Sequence, residues 1–247
     1  MKLAKTGNVA VVIGVGQSEG LGAAIARRTA REGLHTFVAG RTEARLESVA
    51  KEIEAAGGRA TAIATDTTEP DEVERLFDLA IEEGGSLDFV AYNAGNAHMG
   101  LVADTDAAAF EQVWRVCCLG GYLVGREAAR RMVDQGSGSI LYTGATASLR
   151  ARPPFTSFAS AKAALRALTQ GLSREFGPKG VHVGHVVVDG MIDGDQLNSR
   201  MPGLKEQKGE SGMLNIDAIA DAFWTLHTQH PSAWTWELDL RPYKEEW

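Results

Sequence analysis

Cysteine is scarce: the 247 residues hold two, Cys117 and Cys118, side by side. Neighbouring residues rarely meet the separation and dihedral that a structural disulfide demands, so a disulfide scaffold is excluded and a reducing compartment is expected. Basic charge is also in deficit, with 25 Lys and Arg against 32 Asp and Glu and a net charge of -7. Without a basic field to draw in a phosphate backbone, nucleic acid is not expected as a partner. No apolar run approaches the roughly 20 residues that span a bilayer, so no membrane helix is expected. The stretch Met1 to Asn8 has none of the basic, apolar and small-residue succession of a secretory leader, which predicts a cytoplasmic protein. What remains is 44% hydrophobic and 23% charged with 28 Gly, an ordinary globular composition whose partners are expected to be small molecules or further copies of the chain.

Short β-rich apolar runs alternate with longer stretches of helical period. The runs are Val9 to Gly14, Thr36 to Ala39, Ala60 to Thr65, Leu87 to Tyr92, Ser139 to Thr143, Val181 to Val188 and Trp234 to Leu240. The helix-like stretches are Gly20 to Arg31, Glu43 to Ala56, Glu69 to Glu82, Ala107 to Asp134, Phe155 to Phe176 and Asp217 to Thr228. This is the pattern of βαβ units and predicts one α/β domain, residues 1–247, around a parallel seven-stranded sheet. Gly33, Gly57, Gly84, Gly136 and Gly177 stand where left-handed helix caps are expected, and Thr68 with Asp71 reads as a capping box. Residues 190–215 show no sustained period; at the carboxyl end of a strand such a stretch predicts a substrate-covering loop.

The first run ends in Gly14-Val15-Gly16-Gln17-Ser18-Glu19-Gly20-Leu21-Gly22 and a helical pattern follows at once. Glycines at a strand-to-helix turn let backbone approach a pyrophosphate, and the helix N-terminus aims amide hydrogens and a partial positive charge at it. Gly14, Gly16, Ser18, Gly20, Leu21 and Gly22 are therefore candidate dinucleotide-binding residues. The second run leads into Gly40-Arg41-Thr42. A carboxylate there would accept from the ribose hydroxyls and repel a 2′-phosphate, whereas Arg41 can pair with phosphate and stack on adenine, so NADP(H) is the expected cofactor.

The spacing Gly16-x-x-x-Gly20-x-Gly22 resembles the fingerprint of the short-chain dehydrogenase/reductase superfamily, and the likeness continues down most of the chain. It implies a doubly wound Rossmann-type sheet. Asn93-Ala94-Gly95 resembles the family's N-A-G, Asp66 its adenine-contacting Asp, and Ser160-Ala161-Lys162-Ala163-Ala164 its active-site helix, in which Lys162 holds the cofactor ribose. Gly190, after the sixth strand, falls at the glycine that borders the nicotinamide. The family's Tyr, Ser and Asn do not recur. The Y-x-x-x-K pattern lands on Phe158 and Lys162, the serine position on Ala145 and the asparagine position on Cys117. An i, i+4 spacing keeps Phe158 and Lys162 on one helix face, so the tyrosine's shape is kept without its proton.

A replacement acid is expected first at Asp189, at the end of the sixth strand where an apolar setting would raise its pKa, then at Tyr92 or His98. His182 with His185 and His227 with His230 lack familiar ligand spacing, so no metal is expected, and Cys117 reads as a small buried hydrophobe. The leading expectation is an NADPH-dependent oxidoreductase acting on a substrate that needs little enzymic acid, such as an iminium, an activated alkene or a polarised carbonyl. The alternatives are a catalytically silent NADP(H)-binding sensor and, less favoured, a non-redox lyase or isomerase. The resemblance implies a homodimer or homotetramer formed through the fourth and fifth long helices and the last strand, with Trp234, Trp236 and Trp247 either covering an interface or closing the core.

Overall fold

The structure, a computed structural model, describes residues 8–95 and 97–245, so Trp247 lies outside the described residues. The strands are β1 (Asn8–Ile13), β2 (His35–Gly40), β3 (Arg59–Ala64), β4 (Ser86–Tyr92), β5 (Ser139–Thr143), β6 (His182–Val188), β7 (Ile192–Asp193), β8 (Leu214–Asn215) and β9 (Glu237–Leu240). The helices are α1 (Leu21–Arg31), α2 (Glu43–Ala55), α3 (Pro70–Gly84), α4 (Ala107–Trp114), α5 (Gly120–Gln135), α6 (Thr156–Phe176), α7 (Asp195–Arg200), α8 (Leu204–Lys208) and α9 (Ile216–His227). Seven strands form one sheet in the order β3-β2-β1-β4-β5-β6-β9, with every pairing parallel. This is the expected doubly wound α/β domain.

Its strands read as unbroken apolar runs because both faces are covered. Side chains of α1, α2 and α9 close one face, and those of α3, α5 and α6 close the other. Val9, Val11, Val12 and Ile13 of β1 are wholly buried, and each such side chain contributes about 1.5–3 kcal/mol relative to an exposed one. The chain winds outward from β1 to β3, then returns to start β4 on the other side of β1. That reversal opens a crevice beyond the carboxyl ends of β1 and β4, where ligands of open α/β sheets bind.

The expected helix from Ala107 to Asp134 forms without a break as α4 and α5, and carries a π turn over Arg115–Leu119 in which Gly120 N–H bonds to the Arg115 carbonyl. Inside the turn the phenol of Tyr92 donates to the Val116 carbonyl. Such an inserted residue leaves the apolar period almost unchanged, so periodicity did not reveal it. Gly84 ends α3 without a left-handed φ: a side chain there would strike Val9, and the positive φ falls on Gly85. Gly177 likewise continues helically and Gly180 takes the left-handed position. The Thr68 and Asp71 box does not form; Asp66 Oδ1 instead accepts from Thr68 N–H, and Glu72 reaches back to Asp66 N–H at 2.7 Å. Pro70 begins α3 at a position whose N–H needs no helical partner.

Candidate active site

At the end of β1 the backbone turns through Gly14, whose φ of +84° suits glycine and whose face lies against the Asn93–Ala94 backbone. Gly22 lets α1 close onto the same turn, since a Cβ there would stand 2.6 Å from the Gly14 carbonyl. These two glycines, and buried Leu21, shape the junction by packing. Gly16 is different: nothing lies within 4 Å of where its Cβ would be. Gly20 is the N-cap of α1, and no side chain caps that helix end. An open cradle in front of uncapped amides fits a pyrophosphate.

Ser18 is drawn aside from this cradle. Its hydroxyl donates to Glu52 Oε2 at 2.6 Å, and Arg27 donates to the Ser18 carbonyl at 2.9 Å, so α1 and α2 brace the loop. Arg41, at the turn between β2 and α2, is exposed and makes no hydrogen bond or ion pair with any described residue. Asp66 is half-buried and its Oδ1 takes both the N–H and the hydroxyl of Thr68.

Across the crevice a chain of bonds ties three strand ends together. Asn93 Nδ2 donates to the Gly14 carbonyl at 3.2 Å, Thr143 Oγ1 donates to Asn93 Oδ1 at 3.0 Å, and Lys162 Nζ donates to the Thr143 carbonyl at 2.7 Å. Lys162 is 4% exposed, so it is no surface lysine. Burial pushes its ammonium below the usual lysine range, and the nearby Cys117 thiol pulls the other way. The point where a Gly95 Cβ would stand is 3.5 Å from Lys162 Nζ and 3.9 Å from Cys117 Sγ, which places Gly95, Lys162 and Cys117 around one spot.

Phe158, one turn before Lys162, sets its ring 5.7 Å from the ammonium and packs with Val113, Cys117 and Ala161. Ala145 follows β5, and its N–H donates to the buried Ser148 hydroxyl at 3.0 Å. The structure thus gathers Phe158, Lys162, Cys117 and Gly95 in one neighbourhood, with only Lys162 and the thiol carrying a transferable proton.

The apolar setting expected of Asp189 is instead a cage of cations. Its carboxylate, 1% exposed, accepts from Arg150 at 3.0 and 3.2 Å and from Thr146 Oγ1 at 2.5 Å, and pairs with Arg241 at 3.0 Å. Tyr92 is buried with its phenol committed to Val116, and burial pushes its pKa well above the ordinary value. His98 is half-buried in the loop after Gly95. Gly190 turns at φ +155° against Pro242.

The segment 190–215 has more order than its composition suggested. β7 and β8 pair in a two-residue parallel ladder enclosing α7 and α8, helices too short to display a period. Asp193 pins it, bonded to Lys205 at 2.8 Å and Asn198 at 2.9 Å. Asp195 N–H donates to the Glu19 carbonyl at 2.9 Å, which docks the segment on the glycine-rich loop.

Several participants carried no sequence signal beyond a polar residue at a buried strand end or loop. Thr143 is the chief one; Thr146, Ser148 and Arg150 are the others. His185 of β6 is also wholly buried, with Nδ1 on Glu237 Oε2 at 3.1 Å and Nε2 without a partner against Gly144. Arg166 of α6 clamps Glu237 at 2.5 and 2.7 Å and lies over Trp236, while Trp234 stacks on His182. Both tryptophans are half-buried beside the last strand. Among the described residues no group of three or more His, Cys, Asp or Glu is placed to hold a metal ion, and no helix is long and apolar enough to cross a membrane.

Comparison with known proteins agrees with this fold. A family model described as short chain dehydrogenase matches residues 8–203. A versicolorin reductase of Emericella nidulans is 36% identical over 195 residues, 78% of this chain and 72% of the relative. The crystal structure of a short-chain dehydrogenase from Rhodopseudomonas palustris superposes with a TM-score of 0.81 at 38% identity, covering 96% of this chain and 99% of that one. A metagenomic short-chain oxidoreductase solved in complex with NADP gives a TM-score of 0.82 at 26% identity, covering 98% and 99%.

Proposed function

The chain belongs to the short-chain dehydrogenase family, and from that premise we propose that it is an NADP(H)-dependent oxidoreductase whose site delivers hydride to a substrate demanding little enzymic acid. The observation that carries this reading is one contrast. The turn at Gly16 is open and Lys162 Nζ is buried beside Gly95, which supports a cofactor site, while Phe158 and Ala145 offer no hydroxyl where the family resemblance puts the tyrosine and serine. The bound nicotinamide would supply the hydride. Around it, amides at the start of α1 hold the pyrophosphate, Arg41 pairs with the 2′-phosphate, Asp66 lies toward the adenine, and Lys162 donates to the ribose hydroxyls. Asn93, Ala94, Gly95 and Gly190 border the ring end of the cofactor, and residues 190–215 cover the substrate. An iminium carbon, an activated alkene or a polarised carbonyl suits such a site, because each accepts hydride with little or no help from an alkoxide-protonating group.

The turn Gly40-Arg41-Thr42, with an arginine and no carboxylate, supports NADP(H) over NAD(H). NADPH is expected to bind more tightly than NADH, and Arg41→Ala to narrow the gap by roughly 10- to 100-fold, the worth of a charged hydrogen bond of about 1.5–3 kcal/mol. Calorimetric titration with both cofactors checks this, and equal affinities in the wild type would sink the assignment. Lys162→Ala is expected to weaken NADPH binding as well, since its Nζ stands beside Gly95; an unchanged dissociation constant would remove Lys162 from the cofactor site. The missing hydroxyls also favour a second reading, a silent NADP(H) binder, which predicts tight binding without turnover on any acceptor. Exposed Phe110, Trp114 and Tyr122 on α4 and α5, which together make the fourth long helical stretch, support assembly as a homodimer or homotetramer through that stretch, α6 and β9.

A further inference from the structure

With Asp189 caged and Tyr92 committed to Val116, the neighbourhood of Phe158 holds one cationic acid. Lys162 Nζ makes a hydrogen bond to the Thr143 carbonyl, is almost wholly buried, and forms no ion pair with any described carboxylate. The ring 5.7 Å away carries no hydroxyl to take the proton-donor part, and Gly95 and Cys117 are the other residues at this spot. We propose that Lys162 is itself the proton donor of this site, its ammonium delivering a proton to the oxygen or nitrogen of a polarised C=O or neutral C=N substrate in the space beside Phe158. The inference rests on the oxidoreductase reading above and names the substrate class within it.

The step balances without a further reactant. The substrate carbon gains hydride from the dihydronicotinamide, the π pair moves to the heteroatom, and an O–H or N–H bond forms as one Nζ–H bond of Lys162 breaks. The dihydronicotinamide is oxidised, the substrate carbon is reduced, and Lys162, left as a neutral amine, recovers a proton from solvent when product leaves. Burial disfavours the charged amine and so makes it a stronger acid than a solvated lysine. The titratable and charged groups around it are Cys117 from the π turn, His185 from β6, Arg166 one turn further along α6, and Glu237 of β9 behind His185. Of these, Cys117 favours the ammonium, while Glu237 and Arg166 are paired with each other.

Two readouts test this. The first needs no turnover: Nζ of Lys162, followed by ¹⁵N NMR in lysine-labelled protein, must lose its proton at a lower pH than the other lysines do. The second is single-turnover oxidation of bound NADPH by an activated imine or diketone. Its rate must hold at low pH and fall as pH rises through the midpoint found by NMR in the cofactor complex, because a proton donor acts only while protonated. Lys162→Arg keeps the charge and N–H donors for ribose but releases no proton at working pH, so NADPH should still bind while the rate drops about 10²-fold or more. An equally fast Lys162→Arg, a Lys162 that titrates with the surface lysines, or a rate midpoint that does not coincide with the NMR midpoint each overturns the proposal. The last comparison uses wild type alone and decides the matter even where Lys162→Arg binds no cofactor. If no acceptor oxidises NADPH, the oxidoreductase reading fails and this proposal falls with it; turnover that survives in Lys162→Arg sinks the proposal alone.

Discussion

The double variant Phe158→Tyr with Ala145→Ser is expected to reduce small activated ketones at least ~10²-fold faster than wild type, with NADPH affinity nearly unchanged. A positioned acid contributes about 10²–10⁴-fold and an oxyanion-type donor about 10²–10³-fold, and the two gains need not multiply because such groups act as a unit. Both changes are small. Tyr adds one hydroxyl to a half-buried ring already seated against Val113, Cys117 and Ala161, and Ser adds one to a methyl. The new phenol would share a helix face with Lys162, whose positive charge lowers a phenol's pKa and makes it a readier proton shuttle. Cys117 would still stand at the position where the family resemblance puts an asparagine, so recovery is expected to be partial. A folded, NADPH-binding double variant that reduces no ketone faster than wild type would show that Phe158 and Ala145 do not occupy the acid and oxyanion positions.

The second large effect concerns acid stability and His185. Burial drives its imidazole down to about 4, against the partly compensating pull of Glu237. The ring is therefore neutral in the folded protein at neutral pH and must charge on unfolding in acid. Its folded pKa lies below the unfolded value of roughly 6.5, so the unfolded chain binds the extra proton as pH falls between the two. Stability is fully present above about 6.5 and is lost progressively toward pH 4, by about 3 kcal/mol for this one residue. His185→Asn should remove His185's share of that pH dependence, while buried His182 and half-buried His227 keep theirs in both proteins. Urea unfolding midpoints of wild type and variant near neutral pH and near pH 4 test it; parallel losses in the two proteins would remove His185 as the source.

How much of this was legible in the sequence follows from how far each feature reaches along the chain. The seven strands of the main sheet could be read because parallel strands covered on both faces are continuous apolar runs, and β5 was placed to the residue. β9 begins three residues later than its run, although the Trp236 carbonyl just before it still accepts from His185 N–H of β6 at 2.7 Å. The glycine-rich turn and the closeness of Phe158 to Lys162 were visible because both are local spacings. Asp189 shows the opposite case. Nothing in Val188-Asp189-Gly190 discloses that Arg150 and Arg241, far away in sequence, will surround the carboxylate. Ser18 is alike: its hydroxyl is claimed by Glu52, 34 residues on, so a residue in the right motif has a bracing bond instead of a free hydroxyl. The π turn and the packing role of Gly84 are tertiary in origin, set by Tyr92 and Val9 from a neighbouring strand.

The central claim, a working cofactor site in which Phe158 stands at the tyrosine position, is tested most directly by following NADPH absorbance while wild-type protein meets a panel of iminium ions, neutral imines, activated alkenes, diketones and simple ketones. The account predicts steady NADPH oxidation with one or more of the polarised acceptors and little or none with simple ketones. NADPH oxidation by simple ketones as fast as by the polarised acceptors, or by no acceptor at all despite tight NADPH binding, would contradict it.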